Sequence, residues 1–286
     1  MTHESIERLW HRISRYRLSV LVLLLALLIA TVPLAPLIWV VFTALKNPSR
    51  VIENPLGPPT GAWHWENFAS AWQAANFGTY FVNSLVVAIP TVLAVVVLSL
   101  LAAYPFAVMS FRLRKVLFTV FLAGLTIPLS VLIIPLFYEI RSLGLDGTPL
   151  ALILPQVAIQ LPFGILLLAG FIRELPREVL DAGRIDGCDQ VQLLRHVVAP
   201  LTWPGVLTLV VFVFMWTWNQ FLLPLVLVHQ DSGRTLPLGL AFFQGRFNTN
   251  IPLMMAGATI TFLPIVLVYV VFQRQFIRGI TAGAIR

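Results

Sequence analysis

Charged residues are scarce in this 286-residue sequence, where Asp, Glu, Lys and Arg together make up 11% of the chain. Soluble domains carry about 25%. Apolar residue types reach 58%, above the roughly 45–50% that is usual. Because a soluble fold needs charged and polar groups to cover its surface, this composition excludes an ordinary soluble domain. It indicates a protein whose solvent is largely lipid.

Cysteine and nucleotide-binding motifs are also lacking. Cys188 is the single cysteine, which excludes an intrachain disulfide and a Cys/His metal cluster. The phosphate-loop pattern G-x-x-x-x-G-K-[ST] does not occur, since neither Lys46 nor Lys115 follows a glycine. The histidines are scattered without H-E-x-x-H spacing. We therefore predict that the chain is not an enzyme and holds no metal or cofactor of its own.

Long uncharged runs are what the sequence does contain. Each is long enough for the about 20 helical residues that cross a hydrocarbon core, and backbone groups in lipid can be satisfied only within a helix. The first run exceeds the apolar region of a secretory signal, which favours a retained anchor. We predict an all-α membrane protein with six transmembrane helices, at 18–43, 81–104, 116–137, 151–172, 204–228 and 252–274.

The basic residues predict the orientation of these helices. With a cytoplasmic N-terminus, 14 of the 19 Lys and Arg residues fall in inside segments, which is a strong positive-inside bias. Both termini are therefore expected in the cytoplasm, and the net charge of +7 needs no nucleic acid to explain it. The expected organisation is a cytoplasmic segment 1–17, a six-helix transmembrane domain 18–274 and a cytoplasmic tail 275–286.

The first outside loop, residues 46–80, is rich in proline and tryptophan. Its tryptophans are Trp63, Trp65 and Trp72. Tryptophan is typical of membrane interfaces, so one interpretation is an interfacial belt. The other is a docking surface for an external partner, and the sequence leaves both open.

The inside segment 173–203 collects acidic residues that the spans lack. Pro176 suits the first turn of a helix, and Gly187 suits its end because glycine adopts left-handed conformations. Asp189 followed by Gln192 predicts a capping box for a second helix, with Val191, Leu194 and Val198 on one face. Pro200 and Pro204 predict its end. We expect a helix-turn-helix between spans four and five.

This segment resembles the cytoplasmic signature of ABC-type importer permeases. Asp181-Ala182-Gly183 stands where that family has E-A-A, and Asp186-Gly187-Cys188 stands where it has D-G-A. Leu194 takes the aromatic position, and Pro200 and Pro204 take those of the two family prolines. The spacing is complete, although Asp181 is one methylene shorter than the family's glutamate.

The resemblance extends over nearly the whole chain and favours the sugar-importing branch. It is most similar to the shorter, six-helix permease of maltose- and oligosaccharide-type importers. The supporting segments are Trp65-Glu66-Asn67-Phe68, Phe81-Val82-Asn83-Ser84-Leu85, Trp218-Asn219-Gln220-Phe221 and Gln275–Ala284.

The family resemblance implies partners and residue roles. It implies a cytoplasmic ABC ATPase dimer that holds the ATP and Mg, a second companion permease, an external solute-binding protein and a bacterial or archaeal plasma membrane. Asp181 is expected to pair with a basic residue of the ATPase, Ala182 and Gly183 to permit close approach, and Gly187 to set the turn. The expected coupling residues are Glu178, Asp181, Ala182, Gly183, Asp186, Gly187, Leu194 and Pro200.

The sugar pathway is expected among polar and aromatic side chains at membrane depth. Its candidates are Asn83, Gln156, Gln160, Trp216, Trp218, Asn219 and Gln220. A polar residue in a span also commonly bonds a neighbouring helix, so a structural role stays open for each. Three alternatives also stay open: the same machine for another solute, an autonomous secondary carrier, and a membrane scaffold that docks a cytoplasmic protein.

Overall fold

The structure is a computed structural model that describes residues 22–23, 25–29, 31–74, 76–243 and 250–282, with side chains as far as 273. Every regular element in these ranges is helical, which confirms the all-α class. The predicted segment 1–17 and the last four residues of the predicted tail lie outside the described residues. The α-helices are α1 (Leu34–Ala44), α2 (Pro48–Glu53), α3 (Glu66–Ala74), α4 (Phe77–Val108), α5 (Arg114–Gly124), α6 (Leu129–Ser142), α7 (Leu150–Arg173), α8 (Arg177–Ile185), α9 (Gln190–Leu193), α10 (Ala199–Leu201), α11 (Trp203–Trp218), α12 (Leu222–Leu227), α13 (Leu236–Gly239) and α14 (Ile251–Ala282).

Three helices in the described ranges are long and apolar enough to cross a membrane: α4, α7 and α14. They coincide with the second, fourth and sixth predicted spans. The number rises to five when each of two sharply bent helix pairs is counted as one span. In the first predicted span, residues 18–21, 24 and 30 lie outside the described residues. A turn at Val32 and Pro33 precedes α1.

The third predicted span is not one helix. Helices α5 and α6 meet at an angle of 96°. Pro128 precedes α6 in an extended conformation, with ψ 142°, and a residue before proline, here Ile127, is biased away from the helical region. The prediction of a continuous helix over 116–137 is therefore wrong.

The fifth predicted span also ends early, because α11 stops at Trp218. The Gln220 side chain accepts a hydrogen bond from the backbone N–H of Leu222 at 3.1 Å, which competes with a helical bond. Pro224 has no N–H to give to the carbonyl four residues earlier. These two features replace the predicted helix over 204–228 by α11, a break and the short α12.

The chain divides into two compact units, residues 1–71 with 243–259 and residues 72–242 with 260–286. In the first unit, Asn67 donates from Nδ2 to the carbonyls of Ala44 and Lys46 at 2.8 and 2.9 Å. The buried Lys46 donates to the carbonyl of Asn54 at 2.7 Å, and burial lowers its pKa. This part of the outer loop is thus held by specific bonds, while Trp63 and Trp65 stay exposed.

In the second unit, α4 packs along α7 and α11. The packing is close at Gly164 of α7, where an added Cβ would overlap the side chain of Ser99 on α4. An apolar core of α4, α7 and α11 residues continues into the loop after α7, through Leu180, Leu193 and Val198. The loop is therefore built into the same core as the helices above it.

Candidate functional site

The first helix of the loop, α8, has the predicted bounds and stop signal. Its N-cap is Pro176, and Glu178 lies in the first turn, where a negative charge is favourable. Gly187 has a φ of +82°. The N–H of Cys188 donates to the carbonyl of Gly183 at 3.0 Å, and the N–H of Gly187 to that of Arg184 at 3.1 Å. These bonds form a Schellman motif, which confirms Gly187 as the end of the helix.

The second helix begins at the predicted capping box. Asp189 Oδ1 accepts from the backbone N–H groups of Val191 and Gln192, both at 2.8 Å. The Gln192 side chain accepts in return from the Asp189 N–H at 2.9 Å. Both bonds of the motif are therefore present.

The three apolar residues predicted on one face of this second helix differ in burial. Val198 is fully buried and Leu194 is half-buried, whereas Val191 is 73% exposed. Residues Leu194–Val198 form a π-helical turn, which shifts the register of the side chains relative to a regular helix. Pro200 lies exposed at the second position of α10, and the helical run ends one residue later, at Leu201, between the two prolines predicted to end it.

The two loop helices pack closely on each other at Gly183. An added Cβ there would lie 2.7 Å from Leu193 Cδ1. The close approach that Gly183 permits is therefore made within the loop itself, while Ala182 is exposed. The hydroxyl of Tyr104 on α4 donates to Gln190 Oε1 at 2.6 Å, so the second loop helix is also bonded to a long apolar helix.

The charged residues of α8 remain accessible. Asp181 Oδ1 pairs with Arg184 Nη1 at 2.8 Å, with 60% and 44% of the two side chains exposed. An exposed pair of this kind contributes at most about 1 kcal/mol, so Asp181 can exchange Arg184 for another basic partner at small cost. Glu178 and Asp186 are exposed. For Asp186 the sequence leaves two roles open, a local cap of the helix and a local ion pair.

Four of the seven pathway candidates line one cavity. Gln156 and Gln160 of α7 meet Trp216 of α11 and Gln220 of the break after it, around a volume of about 320 Å³. The opposite wall is the break between α5 and α6, with Gly124, Leu125, Ile127 and Leu129. The lining residues carry no charge. The cavity therefore combines amides and an aromatic ring without an ionised group.

The two amides on α7 have spare acceptor capacity. Gln160 Nε2 donates to Thr217 Oγ1 at 3.0 Å, and Gln156 Nε2 donates to the carbonyl of Leu152 at 3.1 Å. The Oε1 atoms of both are buried and have no hydrogen-bond partner within the described residues. A buried amide oxygen left unpaired is costly, so each glutamine has unused acceptor capacity next to the cavity.

An aromatic residue of the cavity was missed from the sequence. Phe163 lies against Trp216, with ring centroids 4.9 Å apart at 69°, and lines the same cavity. The spacing of Gln156, Gln160 and Phe163 corresponds to one face of a helix. Phe163 could have been predicted from this spacing in the sequence.

The other three pathway candidates lie elsewhere. Asn83 donates to the carbonyls of Ser232 and Arg234 at 2.7 and 2.9 Å. Trp218 is buried and donates to the carbonyl of Thr261 at 2.9 Å, and Asn219 donates to the carbonyl of Met215 at 3.0 Å. Each thus has a structural hydrogen bond and does not line the cavity.

Comparison with known proteins gives the family. The family described as the binding-protein-dependent transport system inner membrane component matches residues 95–282. The diacetylchitobiose uptake system permease protein NgcG of Streptomyces coelicolor is 34% identical over 92% of this chain and 87% of its own length. The trehalose transport system permease protein SugB of Mycobacterium tuberculosis is 32% identical over 88% of this chain and 92% of its own length.

Solved structures agree on the fold. A chain of a bacterial ABC transporter involved in the import of the acidic polysaccharide alginate superposes with a TM-score of 0.78 at 18% identity, covering 92% of this chain and 98% of that chain. The match to the family model and the sequence identity to the relatives, each over most of the chain, indicate one family, and the fold is consistent with it. The chain belongs to the family of binding-protein-dependent transport system inner membrane components.

Proposed function

We propose that this chain is a permease subunit of an ATP-driven ABC importer that moves a carbohydrate, of di- or oligosaccharide size, into the cytoplasm. Family membership and relatives named for uptake of diacetylchitobiose and trehalose support the transport role. The observation that carries the substrate class is the cavity of Gln156, Gln160, Trp216 and Gln220.

The chemistry of this cavity fits a sugar. Amide groups offer both donors and acceptors to hydroxyl groups, and the faces of Trp216 and Phe163 offer flat apolar surface for the C–H face of a sugar ring. Burying a polyamine or a phosphonate would require an opposite charge, and the cavity lining has none. A neutral, hydroxyl-rich solute is therefore favoured.

The proposed topology has six spans with both termini in the cytoplasm. It is supported by the 14 basic residues on the proposed inside, by the three long apolar helices α4, α7 and α14, and by the apolar α5–α6 pair and α11. The first span, 18–43, would complete the set. In this topology the loop 173–203 faces the cytoplasm, and the division into 1–17, 18–274 and 275–286 follows from it.

Loop 173–203 is the proposed contact surface for the ATPase subunits. Asp181 exchanges Arg184 for a basic residue of the ATPase, and Gly187 fixes the angle between the two loop helices. Because Leu180, Leu193 and Val198 share a core with α4, α7 and α11, movement of the loop is passed directly to the helices around the cavity. ATP and Mg are held by the ATPase dimer, and this chain needs no cofactor.

The remaining proposed partners are a companion permease, which completes the pathway, and an external solute-binding protein, which delivers the sugar. The proposed location is the plasma membrane of a bacterium or archaeon. The family description as an inner membrane component supports this location.

Co-purification after mild solubilisation tests the assembly. We expect an ABC ATPase and a second permease to accompany the full chain, and a bound glycan to be identified by mass spectrometry. Uptake by liposomes that contain this chain alone, driven by an ion gradient, would instead establish a secondary carrier and refute the proposal.

Substitution of the cavity amides tests the substrate class. In the reconstituted transporter, Gln160→Leu is expected to weaken the apparent affinity for the sugar about two- to tenfold, the equivalent of one neutral hydrogen bond. Asn219→Leu is the matched control, because its amide bonds its own helix outside the cavity. Equal losses in the two variants would contradict the assignment of the cavity.

A further inference from the structure

A second cleft lies on the side of the molecule that carries the coupling loop. It has a volume of about 550 Å³ and lies between the end of α4, the start of α5, the end of α7 and α8. It is separate from the amide cavity and shares no lining residue with it. Its charged lining residues are Arg114, Arg173, Arg177, Arg184 and Asp181.

The positive charge in this cleft exceeds what its own residues neutralise. Asp181 pairs with Arg184. The other three guanidinium groups have no carboxylate oxygen within 4 Å among the described residues. Arg173 donates to the carbonyl of Phe106 at 3.3 Å, and its guanidinium carbon lies 4.9 Å from the ring centre of Phe118. The described lining therefore has a surplus of three positive charges.

The helices around the cleft add to this potential. Arg114 is the first residue of α5 and Arg177 the first of α8, so the N-terminal ends of both helices lie at the cleft. Helix N-termini carry partial positive charge. Several like charges around one concave surface attract an anion, and guanidinium groups bind phosphate in a bidentate manner.

The surface of α5 next to the cleft is apolar beyond Lys115. Lys115 is exposed, and the exposed apolar residues that follow it are Val116 at 58%, Leu117 at 42% and Val120 at 62%. A free phosphate ion would make no use of such a surface. A phospholipid would use both parts, because its headgroup is anionic and its acyl chains are apolar.

We propose that the cleft formed by Arg114, Arg173, Arg177 and Arg184 binds the phosphate headgroup of an anionic phospholipid, with the acyl chains along the exposed face of α5. Because α8 contributes two of the arginines, the bound headgroup holds α8 against the ends of α4 and α7. The lipid thereby stabilises the position of the helix that carries Asp181. This binding requires only the membrane location of the family and is independent of the transported solute.

Native mass spectrometry of the full-length protein tests the proposal. The probes are phosphatidylglycerol and phosphatidylcholine with identical acyl chains. We expect preferential retention of phosphatidylglycerol, and about fivefold weaker binding for each arginine removed in Arg177→Gln and Arg114→Gln. Arg177 makes no ion pair among the described residues, so its replacement is expected to leave the fold intact.

Arg112→Gln and Arg195→Gln are the matched controls, since they remove the same charge outside the cleft. Binding that weakens equally in controls and cleft variants would overturn the site, as would retention of both lipids to the same extent. Displacement of the lipid by millimolar inorganic phosphate would show that the cleft recognises a free anion, and displacement by the ATPase subunit alone would assign it to protein docking. Either result would overturn the lipid assignment.

Discussion

The turn at Gly187 permits a quantitative test of the coupling loop. With a φ of +82°, Gly187→Ala places an L-residue in the left-handed region, at a cost of about 1–2 kcal/mol. No atom lies within 4 Å of the added Cβ, so the cost comes from the backbone alone. This free-energy cost destabilises the conformation in which the N–H of Cys188 is bonded to the carbonyl of Gly183.

The assay is amide hydrogen exchange of the purified protein. A loss of 1–2 kcal/mol in local stability changes an equilibrium about 5- to 30-fold, so exchange of the Cys188 amide is expected to accelerate by that factor. Gly187→Asn is expected to accelerate it less, because asparagine tolerates the left-handed region better than alanine.

Gly144 provides a matched control at the other end of the second unit. It has a φ of +68° and nothing within 4 Å of an added Cβ. It ends α6 with the same pair of bonds, from Gly144 to Arg141 and from Leu145 to Ile140. Gly144→Ala is expected to accelerate exchange at Leu145 and to leave both the Cys188 amide and the ATPase unaffected.

Two results would refute this reasoning. Unchanged exchange at Cys188 in Gly187→Ala would show that the Schellman bonds do not hold the turn. Equal acceleration at Cys188 in Gly144→Ala would show that the effect is global rather than local.

Three further substitutions have expected outcomes. Asp181→Lys is expected to abolish ATPase co-purification and transport. The amount of protein in the membrane is expected to stay unchanged, because the exposed pair with Arg184 adds little to folding. Normal uptake by this variant would contradict the coupling role. Gly187→Pro is expected to abolish uptake in the same assay, with membrane insertion intact. Gly164→Leu is expected to lower the melting temperature of the detergent-solubilised protein, because a Cβ added there already overlaps Ser99. Gly170→Leu is the control, because a Cβ added at Gly170 has no atom within 4 Å. Equal melting temperatures would argue against close packing of α4 on α7.

The coupling loop was predictable because its signals act over a few residues. The helix ends at Gly187 through bonds from the N–H of Gly187 to Arg184 and from the N–H of Cys188 to Gly183. Asp189 caps the next helix by accepting from residues two and three positions later. The face of the second helix was less predictable. Its π-helical turn depends on how Leu193 and Val198 reach the core of the long helices, which local sequence does not encode.

Proline gave an ambiguous signal for the spans. Pro90 and Pro105 lie inside the uninterrupted α4, and Pro155 and Pro162 lie inside α7, whereas Pro128 coincides with a bend of 96°. The same residue type is thus tolerated within a helix when neighbouring groups satisfy the freed carbonyl. Which outcome applies depends on tertiary packing.

The sequence predicted the kinds of side chain that line the cavity but not which of the candidate residues line it. Trp216 and Trp218 are equally attractive in the sequence, yet they lie about 200° apart around a helix. One faces the amides of α7, and the other is buried and bonded to Thr261. Only the packing of α11 against its neighbours distinguishes them.

The break between α5 and α6 has a consequence for how this protein can change its solute. The carbonyls of Leu122, Ala123 and Gly124 accept from the N–H groups of Leu125, Thr126 and Ile127, so the main chain of the bend is bonded within itself beside the cavity. The recognition of hydroxyl groups therefore rests on the side chains of the glutamines and aromatic rings that line the cavity. Substitution of these side chains can change which solute is preferred while the bend itself is kept.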